Sequence, residues 1–210
     1  MQKALTTLCA LAAALTLLTI TAYADELSVV QSPKSYAENL PAHPTERTLA
    51  QIDLTAPYDV PTVDELSEAL LGAMRPLAAE YLAACERYGV NVWAVVAKDS
   101  LESGYNTSYA ATVLNNLGGW TRDNGEYMQF ASQSDYIEHS VRNLKELYLT
   151  EGGEWHNGVT LADVNTAYNG SREWLVEVSN IWRKTLERRD AYRAEKSNRR
   201  EGLKGDNQCS

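Results

Sequence analysis

Histidine and cysteine are scarce in this chain of 210 residues, three of each. His43, His139 and His156 lie far apart, and with Cys9, Cys85 and Cys209 they form none of the short spacings that hold a metal ion. No metal and no cofactor is therefore expected. A glycine-rich phosphate loop and a Ser-His-Asp pattern are also missing, so neither nucleotide chemistry nor serine-type acyl transfer competes. Basic residues are few, 19 Lys and Arg against 28 Asp and Glu. Between residues 25 and 182 the balance is 9 to 23, and only 183–210 reverses it, at 9 to 5. An acidic body with a short basic end argues against nucleic acid as the principal partner. The basic end reads as a solvated helix end or as a contact for anionic polymers. No internal repeat is visible.

The one long apolar run stands at the start. Lys3 gives a positive beginning, Ala4 to Ile20 an apolar stretch, and Ala22-Tyr23-Ala24 a small-x-small cleavage pattern before Asp25. Residues 1–24 thus read as a secretory signal. A retained anchor is the other reading, opposed by Thr6, Thr7, Thr16 and Thr19 and by the need for about 20 apolar residues to span a membrane. Cleavage predicts an exported monomer without a stable membrane anchor, carrying 18 basic and 28 acidic residues. Residues 25–61 hold five of the six prolines without a sustained period and are expected to be a linker. The remaining 62–210 suit one domain.

Helix signals dominate that domain. Thr62-x-x-Glu65 is a capping box for a helix through Leu66, Leu70 and Met74. Pro76 ends it and opens a second helix, Leu77 to Tyr88, closed by Gly89. Asn91 caps a third, in which Trp93, Val96, Ala97 and Leu101 share one face and Gly104 is the stop. Ser108 starts a short helix to Leu114. Asp123-Asn124-Gly125 predicts a hairpin turn, followed by Glu126 to Phe130. Ser134 is expected to cap a helix carrying Ile137, Val141, Leu144 and Tyr148. Thr160-x-x-Asp163 starts one that ends near Tyr168. Ser171 opens a long last helix on Trp174, Val178, Ile181 and Leu186, with a charged tail from 193 to 210 expected to fray. Cys85, beside Leu77, Tyr81 and Leu82, reads as a buried free thiol, with a bridge to Cys209 as the alternative in an oxidising compartment. The expectation is a mainly α bundle with one small β-hairpin.

Chemistry centres on Glu102. An acid in the last helical turn faces the negative end of the macrodipole, and Leu101 and Tyr105 are poorly solvating neighbours. Both favour the proton-carrying form that a general acid for sugar cleavage requires. Leu101-Glu102-Ser103-Gly104-Tyr105-Asn106-Thr107-Ser108, followed by Asn115-Asn116-Leu117-Gly118-Gly119, resembles the bacterial cell-wall β-N-acetylglucosaminidase family. The resemblance spans about residues 77 to 186. Tyr105-Asn106 stands where that family has Trp-Gly, Gly119-Trp120 replaces its Phe-Gly-Ile, and its larger β-lobe shrinks to about ten residues.

The resemblance implies a lysozyme-like helical fold in the cell wall, with peptidoglycan glycan strands as partner. It implies hydrolysis of β-1,4 bonds next to N-acetylglucosamine, with Glu102 as the acid. Ala167-Tyr168-Asn169, before Trp174, resembles the family's late active-site tyrosine, whose phenol would bind the N-acetyl group or hold the acid. A second carboxylate is usual in such reactions, and Glu126 is preferred over the turn residue Asp123. Asp99, one turn before Glu102, either shares the cleft with it or points to solvent. Tyr105, Trp120 and Tyr127 offer flat faces for sugar rings, and Asn116 completes the expected substrate-binding set, though it suits a turn better. Three rival readings stay open: substrate-assisted cleavage without a second carboxylate, a lytic transglycosylase using Glu102 alone, faintly echoed by Tyr127-Met128-Gln129, and an inactive glycan-binding module.

Overall fold

A computed structural model describes residues 45–206, with side chains from 45 to 200. Residues 1–44, which include the signal-like run and most of the linker, and Cys209 lie outside the described residues. The chain is mainly α-helical. In order come α1 (Glu46–Ala50), α2 (Val63–Ala69), a 3₁₀ turn (Gly72–Leu77), α3 (Ala78–Tyr88), α4 (Val92–Ser103), α5 (Tyr109–Leu114) and α6 (Gln133–Asn143). A π-helical turn (Leu144–Leu149), α7 (Leu161–Tyr168) and α8 (Arg172–Asp206) complete it. Among the described residues no helix is long and apolar enough to cross a membrane.

Helix α4 is the hub. Asn91 caps it, its Oδ1 accepting from the N–H groups of Trp93 and Ala94 at 3.0 and 3.2 Å. The sequence pattern predicts one buried face, but every residue from Val92 to Ser100 is buried. A helix apolar on nearly all sides is stable only inside a bundle. Here α8 packs along it, and α3 closes another side while itself lying on α6. Trp93, Val95, Val96 and Ala97 are completely shielded, as are Trp182 and Val178 of α8. Each such large side chain contributes about 1.5–3 kcal/mol of burial.

Several boundaries differ from expectation. Residues 45–61 are not a spacer in this region. Leu49, Ile52 and Leu54 are buried in the core, Leu54 N–H donates to Val159 C=O at 2.8 Å, and Asn91 N–H donates to Leu54 C=O at 2.7 Å. A one-turn helix and a few anchoring side chains carry no period long enough to read. The helix begun by Thr62 and its capping box stops at Ala69, because Leu70 turns extended and Gly72 is left-handed at φ 52°. The α6 cap is Ser132 rather than Ser134, with Oγ accepting from Asp135 N–H at 3.0 Å. The expected hairpin reduces to one antiparallel bridge, Thr121 to Tyr127, with no strand among the described residues. The tail expected to fray is helical through Asp206. Arg193 docks it by donating to Glu65 at 2.8 and 3.1 Å and to Asp59 at 3.0 Å.

Candidate active site

Glu102 lies in the last turn of α4, half-buried, where the backbone makes an unusual exit. Gly104, Tyr105 and Asn106 are consecutively left-handed, at φ 58°, 58° and 63°. Glycine adopts this freely, but the next two residues do so at a cost of about 1–3 kcal/mol each. Side-chain bonds offset it. Asn106 N–H donates to Ser103 Oγ at 2.8 Å, its Nδ2 donates to Ala73 C=O at 3.0 Å, and Gln133 Nε2 donates to its Oδ1 at 2.7 Å. The turn is held from three sides, so the residue just before it is held too.

The long helix α8 reaches back to that acid. Trp174, in its first turn, donates its indole N–H to Glu102 Oε1 at 2.8 Å, leaving Oε2 without a hydrogen bond from any described residue. Tyr168, at the end of α7, packs on Trp174 with ring centroids 5.1 Å apart. Two of the expected catalytic residues, 66 positions apart in sequence, therefore share one cluster through Trp174. Burial pushes the Tyr168 phenol above its ordinary 10; the Lys98 ammonium opposes this, while Glu102 and Asp99 add to it. At neutral pH it is an uncharged hydrogen-bond donor.

Beneath these rings lies a charged pair. Lys98 is 4 % and Asp99 0 % exposed. Two charges so deep cost several kcal/mol each unless paired and hydrogen-bonded. Asp99 is: Lys98 Nζ and the Tyr136 hydroxyl (3.1 Å) donate to Oδ1, and the Tyr81 hydroxyl donates to Oδ2 at 2.9 Å. Asp99 thus neither points to solvent nor shares an open cleft with Glu102. It is a core acceptor. Lys98 Nζ also stands 5.5 Å from the Tyr168 ring centroid, a cation–π contact from below. Burial, the largest single influence, depresses that ammonium, but Asp99, Tyr136 and Tyr168 together outweigh it and hold Lys98 well above the ordinary lysine range.

The other expected site residues divide. Trp120 packs edge-on against Tyr136 (5.8 Å) and His139 (5.4 Å), and a hydrogen bond with it offsets a small part of the upward push on the Tyr168 phenol. Gly118 permits this, since a Cβ there would collide with the Tyr136 hydroxyl and sit 2.6 Å from Trp120 Nε1. Asn116 is no ligand group. It is completely buried, its Nδ2 donating to the C=O groups of Trp120 (2.8 Å) and Met128 (2.9 Å), and its Oδ1 accepting from Trp120 N–H. Tyr105 turns toward α8, near Arg188, and is half-buried against the core. Tyr127 is 50 % exposed and lies over Gly119. Glu126 is exposed at the turn, its carboxylate accepting from Asn124 Nδ2 at 3.0 Å and pairing loosely with Arg122. No hydrogen bond joins it to Glu102 among the described residues. Asp123 is likewise an exposed turn residue.

Two site residues escape the sequence pattern. Trp174 and Tyr148 both fall on apolar helical stripes, which marks them as core. Only the tertiary packing sets one on Glu102 and lets the other continue the aromatic row, 6.1 Å from Tyr168. No protein-family model matches the chain, and no curated protein matches it.

Proposed function

We propose that the chain is an exported peptidoglycan hydrolase that cleaves β-1,4 bonds next to N-acetylglucosamine, with Glu102 as general acid. One observation carries the reading. Glu102 and Tyr168, the two positions that resemble the catalytic acid and late tyrosine of the cell-wall glucosaminidases, meet around Trp174. Oε1 is tethered by the indole, and Oε2 accepts no hydrogen bond from any described residue. That carboxyl can hand a proton to the departing glycosidic oxygen. Tyr168, an uncharged donor beside it, suits the acetamido carbonyl of the sugar.

The stabiliser of the positive sugar is the other half of the reaction. Glu126 is tied into its own turn, and Asp99 is consumed by Lys98, Tyr81 and Tyr136. With no second carboxylate bonded into the cluster among the described residues, the acetamido oxygen of the substrate is the better nucleophile. It attacks C1 as the leaving oxygen takes the Glu102 proton, and water then opens the ring formed. The same shortage favours one rival, a lytic transglycosylase in which a sugar hydroxyl rather than water ends the reaction.

Digestion of purified peptidoglycan separates them, with wild type beside Glu102→Gln and product ends identified by reduction and mass spectrometry. New reducing N-acetylglucosamine ends, absent with the variant, are expected. Anhydro ends would assign a transglycosylase that keeps Glu102. Wall binding by both proteins without any release would leave a glycan-binding module and remove the enzyme.

A further inference from the structure

The aromatic row does not stop at Tyr148. Trp155 packs on Tyr148 with centroids 5.1 Å apart, so rings run without a break from Trp174, on Glu102, through Tyr168 and Tyr148 to Trp155. Of the five tryptophans, Trp155 is the exposed one, at 41 %. An exposed indole usually sits on a loose loop; this one does not.

The loop that carries it is built onto the π-helical turn. A π turn leaves carbonyls without their ordinary helical partners, and residues 150–156 take them up. Thr150 Oγ1 donates to Lys145 C=O at 2.8 Å, Trp155 N–H donates to Leu147 C=O at 3.0 Å, and His156 Nδ1 pairs with Tyr148 C=O at 2.8 Å. Gly153 allows the approach, since a Cβ would lie 2.5 Å from Leu147 O and 2.6 Å from Glu146 O. Trp155 and Tyr148 are thereby anchored to the same backbone turn. A ring held this way loses little freedom when a ligand stacks on it, which is the condition for a useful binding surface. Burial raises the Tyr148 phenol, so it stays an uncharged donor at the edge of that surface.

We infer that Trp155, braced by Tyr148, is a sugar-stacking subsite at the outer end of this aromatic row, binding a pyranose ring of a β-1,4-linked N-acetylated strand away from the bond that Glu102 cleaves. This rests on the glycosidase reading of Glu102. A pyranose presents one face of C–H groups, which an indole plane matches, and hydroxyls at its rim, which a phenol can donate to.

The test is calorimetric titration of the full chain carrying Glu102→Gln with a β-1,4 N-acetylglucosamine hexamer, and of the same protein carrying Trp155→Ala or Trp155→Phe in addition. Trp155→Ala is expected to weaken binding about tenfold, the worth of one aromatic contact, and Trp155→Phe to retain most of it. In the cleaving protein, Trp155→Ala raises KM for long strands and leaves kcat in place. Hexamer binding that is unchanged by Trp155→Ala overturns the subsite while leaving the glycosidase reading intact. Absence of hexamer binding in Glu102→Gln, together with no cleavage of wall by wild type, overturns both.

Discussion

Removing the Lys98 ammonium is the sharpest perturbation of the core beneath Glu102. In Lys98→Met a shape close to the lysine stem remains, but the buried Asp99 carboxyl is left with only the Tyr81 and Tyr136 hydroxyls as donors. Breaking a buried pair from one side costs about 3–5 kcal/mol. With two donors still present, the lower end, about 3 kcal/mol, is expected. That is a large share of the roughly 5–15 kcal/mol that holds a domain folded. Urea unfolding of wild type, Lys98→Met, Asp99→Asn and the double variant measures it as a cycle. The double variant removes both charges and is expected to return to within about 1 kcal/mol of wild type, since a buried pair is worth little against neutral groups of its own size. A single-variant loss under about 1 kcal/mol, or a double variant as weak as the sum of the singles, would refute the buried, mutually dependent pair.

Trp174→Phe keeps the ring stack on Tyr168 and removes only the donor to Glu102. Turnover is expected to fall by about two- to tenfold, the worth of one ordinary hydrogen bond of about 0.5–1.5 kcal/mol, with a change in unfolding midpoint too small to account for it. Glu126→Gln is expected to leave turnover near wild type, because that carboxylate is spoken for at an exposed turn; a large drop in peptidoglycan release would restore it as the second carboxylate. Glu65 is held down to about 2 from an ordinary 4.5, chiefly by hydrogen bonds from Arg193. Its folded-state pKa is depressed, so this stabilisation is complete above about pH 4.5 and is lost as pH falls from there toward 2. Screened at the rim of the domain, it is worth about 1–2 kcal/mol. Glu65→Gln should flatten stability against pH in that window, and an unchanged acid limb would contradict the pairing.

Local rules were legible where a few neighbouring residues decide the outcome. The capping boxes at Thr62 and Thr160, the Asn91 cap, and the left-handed stops at Gly89 and Gly104 all form as the residues suggest. These involve partners within about four positions, so their energetics are written in the chain itself. Misreadings share an opposite cause. Leu49, Ile52 and Leu54 follow no period, yet surfaces supplied by distant elements bury them. Asp99, expected either to share the cleft with Glu102 or to point to solvent, does neither, because the convergence of α3, α6 and α7 on α4 turns it inward with Lys98. Asn116, read with the substrate-binding residues, spends all three of its bonds on the loop that follows it.

The candidate site divides the same way. Glu102 could be singled out from its helix end and the motif around it, and Tyr168 from its own short resemblance. What joins them is Trp174, whose indole reaches an acid 72 residues earlier because α8 packs along α4. The row through Tyr148 to Trp155 depends on a π turn, whose carbonyls call in a loop from beyond the helix end. By itself the sequence determined a mainly helical chain, most of its helix starts and stops, and one acid at a helix end, because each is set by local geometry. Which charges are buried and which aromatics line up were decided only by tertiary packing, because those choices depend on surfaces that no short stretch of sequence contains.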